Sequence, residues 1–558
     1  MASGIIKPML SDEIKKFFKG EIFSDEKTLE RFSEDASIFK IKPSLVVCPK
    51  NTDDIKNLVK FVSKKKKIDQ GISLSARSAG TDMTGGSLTE SIVVSLTEHI
   101  NRVKEIKVEG PRGGYAVVEP GVYYRDFEKE TLNKDLIYPP YPASRELCAI
   151  GGIVSNNSAG EKTLSHGQTK DFVLELKAIL ADGNEYTFKP LNEFELKEKI
   201  KLKNFEGKIY SKIWDLIKKN QKLIWESKPN VSKNSAGYYL WEIYDGKYFN
   251  LAKLIVGSQG TLGIVTEVKL KLERTKKHSR MVVVFLRNLS LVDDLVDLIL
   301  KYKPESLESY DDKTLKLAIK FFPSLIKIIK PKNVLNLILK FIPDFFIILT
   351  TGLPKLVILA EFVGDNEFEI EKNIQSLLPE IKKLGVKARV TKDEEEEQKY
   401  WTIRRESFNL LRHHIRGLHT APFIDDIIVH PEQLPEFLPR LNKILSRYPE
   451  LIETIAGHAG NANFHIIPLA DFKKPDFRDT VLKLSNEVYD LVREFKGSIT
   501  AEHNDGLIRT PFLDKMFNPK MLRLFEKVKK VFDPKDIFNP GKKVRGDLNY
   551  ALSKIKKE

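Results

Sequence analysis

An α+β fold of more than one domain is what this sequence predicts, on three observations. The chain has 558 residues with 41% hydrophobic and 30% charged side chains, a globular composition too long for one ordinary core. Short runs of β-branched and aliphatic residues alternate with segments of helical periodicity. The alternation starts afresh after a basic break near residue 275, so a second unit with its own sheet is expected.

Residues 1–40 read as helical and charged. Ser44–Cys48 is a short strand closed by Pro49, Asp53–Val62 carries apolar residues at helical spacing, and Ile72–Ser75 and Ser91–Leu96 are further strands. Strand-like runs recur at Tyr115–Glu119, Phe172–Leu180, Leu254–Val256 and Gly263–Leu272. A first domain is therefore expected over 1–273, with Arg274–His278 as a linker. Met281–Leu286 opens a second unit, 280–530. It continues with a helix over Leu291–Lys301, a partner strand at Leu356–Phe362 and an amphipathic helix near Phe368–Leu384. The segment 314–355 is rich in Leu, Ile, Phe and Lys but is broken by Pro323, Pro331, Pro343 and Pro354. It reads as short amphipathic helices inserted between strands, not as a membrane span. A helical cap over the sheet is the plain reading; peripheral contact with a membrane, lysines flanking apolar faces, is the sharper one.

The formal charge of +15 attracts anions: small carboxylates, nucleotides or an acidic membrane surface. The lysines are spread along the chain, with no zinc-finger spacing or RNP motif, so no nucleic-acid partner is expected. Cys48 and Cys148 are the only cysteines. They allow no disulfide framework or iron–sulfur spacing and fit a reducing cytoplasm. The first residues turn charged at once, without the long apolar run of a signal peptide, so a cytoplasmic location is expected.

Chemistry concentrates in glycine loops and histidines. Arg77-Ser78-Ala79-Gly80-Thr81-Asp82-Met83-Thr84-Gly85-Gly86-Ser87 follows a strand. Such a loop exposes successive backbone N–H groups that can wrap a pyrophosphate. Gly151, Gly152, Ser155, Asn156, Ala159 and Gly160 form a second loop, and Gly257, Gly260, Thr261, Gly263 and Ile264 a third. None is a Rossmann or P-loop fingerprint, and any one alone is more often a turn. Together they suggest a long ligand held along its length by backbone amides.

His458 and His465 stand seven apart in Gly457-His458-Ala459-Gly460-Asn461-Ala462-Asn463-Phe464-His465. In a helix both would face one side; a strand or turn is equally open. Glu502-His503 adds a carboxylate and a third imidazole. Two His and one carboxylate suit a divalent transition metal with positions left open. On spacing alone, separate core or surface histidines remain the simpler reading.

These motifs, in this order, resemble the FAD-linked oxidases of the vanillyl-alcohol-oxidase type. The matching frame is Pro43…Val46-Val47-x-Pro49, Arg77-x-x-Gly80-Thr81…Gly85-Gly86, Gly151-Gly152…Asn156…Ala159-Gly160 and Gly257-Ser258-x-Gly260-Thr261-Leu262-Gly263. The later motifs resemble those of D-2-hydroxyglutarate, D-lactate and glycolate dehydrogenases. The resemblance implies a two-subdomain FAD-binding domain, then an α/β substrate (cap) domain with an antiparallel sheet and a helical insertion. It implies that the tail 531–558 returns to the FAD domain, with Asn539 of Asn539-Pro540-Gly541-Lys542 near the flavin. It implies noncovalent FAD, since no His stands in Arg77–Ser87. His458, His465 and Glu502 would hold a divalent metal (zinc, manganese or iron), and His503 would be the catalytic base. Arg404 of Trp401-x-x-Arg404 would clamp a substrate carboxylate, with Arg405 the fallback for that role; a surface position on an amphipathic helix is the simpler reading of Arg405. His166 would be a packing or flavin-edge residue.

Gln259 stands where the pattern has Glu, Asn461 where it has Asp, and Ala462 and Asn504 where it has Gly. The missing Asp bears on metal affinity and identity. The implied activity is oxidation of a small D-2-hydroxy acid such as D-lactate, with a quinone, cytochrome, flavoprotein or oxygen as acceptor. The alternatives are a relative acting on a larger hydroxy acid, an alkyl-glycerone-phosphate synthase-like enzyme, and a non-catalytic FAD electron-transfer subunit. Retention of all four metal and base side chains argues against the last. The insert 314–355 is the main stretch the resemblance leaves unexplained.

Overall fold

The computed structural model describes residues 6–329, 334–414 and 417–557; part of the expected N-terminal helix (1–5) and of the insert (330–333) lies outside them. Three large sheets organise the described residues, beside a two-stranded ribbon of His419–Thr420 and Leu469–Ala470. In the first, Leu45–Cys48 and Leu74–Arg77 run parallel on either side of Ile92–Ser95. Glu21–Phe23 adds an antiparallel edge, inside a stretch expected to be helical throughout; three residues are too few for periodicity to show. Parallel strands that follow one another in the chain need a crossover. The helix Thr52–Lys65, capped by Asn51, provides it and buries Ile55, Leu58, Val59 and Val62 against the sheet.

The second sheet is antiparallel and centred on Ile264–Arg274, which pairs with Gly113–Val118 on one side and Val173–Ile179 on the other. Leu254–Val256, expected as a strand, instead follows a helical turn over Ala252–Ile255. An apolar run this short does not separate a buried strand from a buried helix. Strand structure continues to Arg274 and resumes at His278, so the expected linker shrinks to residues 275–277.

The third sheet has seven antiparallel strands, in the order Lys387–Val390, His278–Leu286, Leu356–Gly364, Ser306–Asp311, Ile455–His458, Asn463–Ile466 and Ile427–Ile428. Its alternation sends Val282 and Val284 to one face, covered by Val292–Lys301 and Glu367–Lys383, and Met281 and Val283 to the other. That second face is covered by the helix Glu394–His414, with the insert helices Asp312–Lys320, Phe322–Ile329 and Val334–Thr351 packed on it. Among the described residues no helix is long and apolar enough to cross a membrane. The end of the chain returns to the first sheet: Leu74 N donates to Ile537 O at 2.7 Å and Asn539 N to Leu74 O at 2.9 Å.

Candidate active site

The loop after Leu74–Arg77 folds around one carboxylate. Asp82 Oδ2 accepts from Thr84 N, Thr84 Oγ1 and Gly86 N at 3.1, 2.7 and 2.6 Å, and Oδ1 accepts from Asn156 Nδ2 at 2.9 Å. Glycine is forced where the loops meet. A Cβ on Gly80, whose φ is +73°, would sit 2.3 Å from the Arg77 guanidinium, and one on Gly151 2.4 Å from Ser78 Oγ. Arg77 spends its guanidinium on the Phe32 and Glu34 carbonyls. Gln259 ties the loops together: Nε2 donates to Thr84 Oγ1 and Asn156 Oδ1, and Oε1 accepts from Gly506 N at 2.8 Å. Its amide can donate and accept at once, which a carboxylate in its place could not.

A cavity of about 650 Å³ runs from this loop to the His–Glu motifs. Arg77 to Asp82, Gly86, Gly151, Gly152, Ser155, Asn156, Ala159, Gly260 and Gly263 line one end. Thr84, Gly85, Gly160, Gly257, Thr261, Ile264 and Asn539 lie behind that wall. Thr261 Oγ1 meets the Tyr238 hydroxyl at 2.7 Å, and Asn539 Nδ2 donates to Gly86 O and Gln259 O at 2.7 Å each. A cleft lined at one end by glycine loops that leave their backbone amides open fits a dinucleotide.

At the other end, hairpin and turn bring the histidines together. Ile455–His458 pairs with Asn463–Ile466, so His458 and His465 sit on adjacent strands, not on a helix. Their rings and that of His503 follow one another at centroid distances of 5.2 and 5.0 Å. Three Nε2 atoms surround Glu502 Oε1: His458 at 3.2, His465 at 3.3 and His503 at 3.9 Å. The Nδ1 atoms face carboxylates: His458 meets Glu308 at 2.6 Å, His465 meets Asp425 Oδ1 at 3.2 Å and His503 meets Asp425 Oδ2 at 2.7 Å. Imidazoles oriented from behind by acids, with the far nitrogens convergent beside a carboxylate, make a donor set that fits a divalent cation.

Acids and bases of the cluster balance one another's charge. Burial disfavours the Asp425 carboxylate, but His503 and His465 beside it outweigh that and hold its pKa well below the usual range. Burial likewise opposes charge on His465, yet Asp425 and Glu502 push it up to about 10. Lys233, itself buried, lies 3.1 Å from Glu502 Oε2, leaving Oε1 to the histidines.

Asp426 also falls within reach of His465, Glu502 and His503, but its Oδ2 already accepts from Thr500 Oγ1 and from the N–H groups of Ala501, Glu502 and His503. It shapes the turn that carries Glu502 and His503. Arg404 reaches the same pocket, with Nε 2.7 Å from Glu308 Oε2. Arg405 is not the surface residue expected: it lines the cleft, paired with buried Glu161. His166 packs between Glu273 and Glu305 at 2.8 and 3.0 Å.

Sequence reasoning missed Glu308, Asp425, Asp426 and Lys233. Only the Asp425-Asp426 doublet, set between Ile424 and Ile427, carried a signal: charge inside an apolar run demands partners.

Fold and site define a flavoprotein whose nucleotide cleft ends in a buried His–carboxylate cluster. Residues 43–189 match the family described as FAD binding domain, and residues 275–543 match FAD linked oxidases, C-terminal domain. The chain carries the FAD binding domain and the C-terminal domain of FAD linked oxidases, and FAD is its cofactor. Among curated proteins it is 27% identical over 535 residues to a D-2-hydroxyglutarate dehydrogenase of Pseudomonas putida, covering 94% of this chain and 50% of that one. It is 28% identical over 520 residues to the glycolate oxidase subunit GlcD of Bacillus subtilis, covering 92% and 91%. The chain thus spans about half the length of the first of these relatives. A solved alkyldihydroxyacetonephosphate synthase superposes with a TM-score of 0.65 at 14% identity, over 96% of this chain and 84% of that one; at that identity the likeness is one of fold.

Proposed function

We propose that the chain oxidises a small D-2-hydroxy acid of the D-lactate kind to the 2-oxo acid. The observation that carries this reading is the convergence of three imidazole Nε2 atoms on Glu502 Oε1 at the far end of the cleft that begins at the glycine loop. The names of the relatives, dehydrogenase of one hydroxy acid and oxidase of another, point the same way. Arg404 takes the substrate carboxylate, its planar fork matching two oxygens. His503 accepts the hydroxyl proton at Nε2, its ring held from behind by Asp425, a role suited to imidazole. His458, His465 and Glu502 would hold a divalent metal (zinc, manganese or iron), supplying Lewis-acid polarisation of the substrate oxygens. FAD, bound without a covalent link, supplies the hydride acceptor. Electrons leave for a quinone, cytochrome or flavoprotein. A cytoplasmic location, with membrane contact through the insert 314–355, completes the reading.

An anaerobic screen of D- and L-hydroxy acids, watching flavin absorbance, tests it. D-lactate bleaches the flavin, and its L-isomer does so far more slowly. His503→Ala slows bleaching by about 10²–10⁴-fold while FAD content holds. A chelator abolishes bleaching and leaves the protein yellow. Bleaching at an unchanged rate in the His503→Ala protein would sink the assignment.

A further inference from the structure

The helix Val334–Thr351 has, among its described side chains, an outer face that is apolar but for the exposed hydroxyl of Thr350. Its inward positions are Leu337, Phe341, Asp344 and Ile348, spaced by four, three and four residues, which pack towards the third sheet and the helix Glu394–His414. Its outward positions are Leu339, Ile342, Phe345, Phe346 and Leu349, and the last three are 67%, 63% and 70% exposed. A helix lying on a water-facing surface carries polar groups there.

The face cannot roll inward. Asp344 accepts from Tyr400 OH at 2.5 Å and Arg389 NH1 at 2.8 Å, and Lys399 Nζ lies 2.5 Å away. Lys340 is held by Asp393 and Glu395. Rotation would strand buried charges, at far greater cost than leaving apolar groups in water. The two preceding helices continue the surface with exposed Ile319 and Ile328 and exposed Lys320 and Lys327. Ile328 also lines the cleft.

We infer that this face docks on an anionic lipid bilayer, with Phe345, Phe346 and Leu349 entering the interface. Fixed aromatic and aliphatic side chains flanked by lysines, on a chain of formal charge +15, match an acidic headgroup layer over an apolar one. Docking is peripheral, and it brings the rim of the cleft to the lipid surface. The inference rests on the membrane contact in the proposed function and on none of its chemistry.

The test is flotation of the full FAD-loaded chain with phosphatidylcholine vesicles, with or without phosphatidylglycerol. Wild type co-floats with the anionic vesicles, and salt weakens the association. Phe345→Ser, Phe346→Ser and Leu349→Ser together lower the bound fraction by about ten-fold or more, while the flavin spectrum reports an intact fold. No flotation with either vesicle, or equal flotation of the triple variant, overturns the inference. So does sedimentation showing that wild type self-associates through this face, the variant is monomeric and vesicles bind neither. If no hydroxy acid bleaches the flavin of either protein but anionic vesicles still bind wild type alone, the proposed oxidation fails and the surface stands.

Discussion

Glu308 holds two functional side chains on one carboxyl. Oε1 meets His458 Nδ1 at 2.6 Å and Oε2 meets Arg404 Nε at 2.7 Å. Burial opposes its charge, but His458 and Arg404 beside it outweigh that and lower its pKa. It is a positioning residue: it orients a proposed metal ligand and the proposed carboxylate clamp together. Glu308→Gln keeps the shape and removes the charge. Metal affinity is expected to fall by about 10–100-fold, read by metal analysis after dialysis, and KM for the hydroxy acid to rise because the Arg404 fork is no longer aimed. Unchanged metal content and KM in that variant would remove Glu308 from the site's working parts.

At the scale of elements, the short helix Thr163–His166 meets the third sheet at Glu305, which takes both the His166 ring and a hydrogen bond from Ser165 Oγ to its carbonyl. His166 lies between Glu273, at the end of Ile264–Arg274, and Glu305, just before Ser306–Asp311, with Lys271 and Lys162 on the same two carboxylates. Burial opposes its charge, but the two glutamates raise its pKa from 6.5 to about 9. His166 bonding lowers Glu273, against burial, from 4.5 to about 2. A raised His pKa gives stability that is full below 6.5 and lost as pH rises through about 9. A lowered Glu pKa gives stability that is full above 4.5 and lost as pH falls through about 2. The contact is therefore strongest between about pH 4.5 and 6.5. His166→Gln is expected to cost about 1 kcal/mol in that window, with the Tm gap closing above pH 9; a gap that did not move with pH would show the contact to be uncharged.

Elements also show what was legible in the sequence. The glycine loops were, because at Gly80, Gly151 and Gly160 a Cβ would lie 2.3, 2.4 and 1.9 Å from a neighbour, so the fold dictates the residue. His458, His465 and Glu502-His503 were visible as motifs, but not the strand pairing that joins the first two. Glu308 and Lys233 were not legible: each reaches the cluster from an element more than 100 residues away, and nothing local marks a residue whose partner is supplied by topology. The insert read correctly as helical, but not as short helices throughout: Val334–Thr351 runs for 18 residues through Pro343. Its outer face did not read correctly, because Asp344 and Lys340, which look like a solvated side in the sequence, point to buried or paired positions.

Over the whole molecule, residues far apart in sequence finish the nucleotide cleft. Asn539 Nδ2 donates to the carbonyls of Gly86 and Gln259, and its Oδ1 accepts from Ser75 Oγ at 2.9 Å. Asn539→Ala leaves two carbonyls and a hydroxyl without their buried partner, an expected loss of about 1–3 kcal/mol. It should show as a lower Tm and weaker FAD retention on gel filtration. A chain stopped at Phe532 is expected to purify colourless; a yellow product would mean that the tail does not complete the cradle.

The strand Leu74–Arg77 borrows its outer hydrogen-bond partners from Ile537 and Asn539, and this sets an order of events during biosynthesis. Domains generally fold from the N-terminus as the polypeptide emerges from the ribosome. Here the first sheet must wait with an unsatisfied edge until residues 537–539 have been made. Stable capture of the dinucleotide thus waits for residues 537–539, and added flavin is not expected to rescue a nascent chain that lacks them.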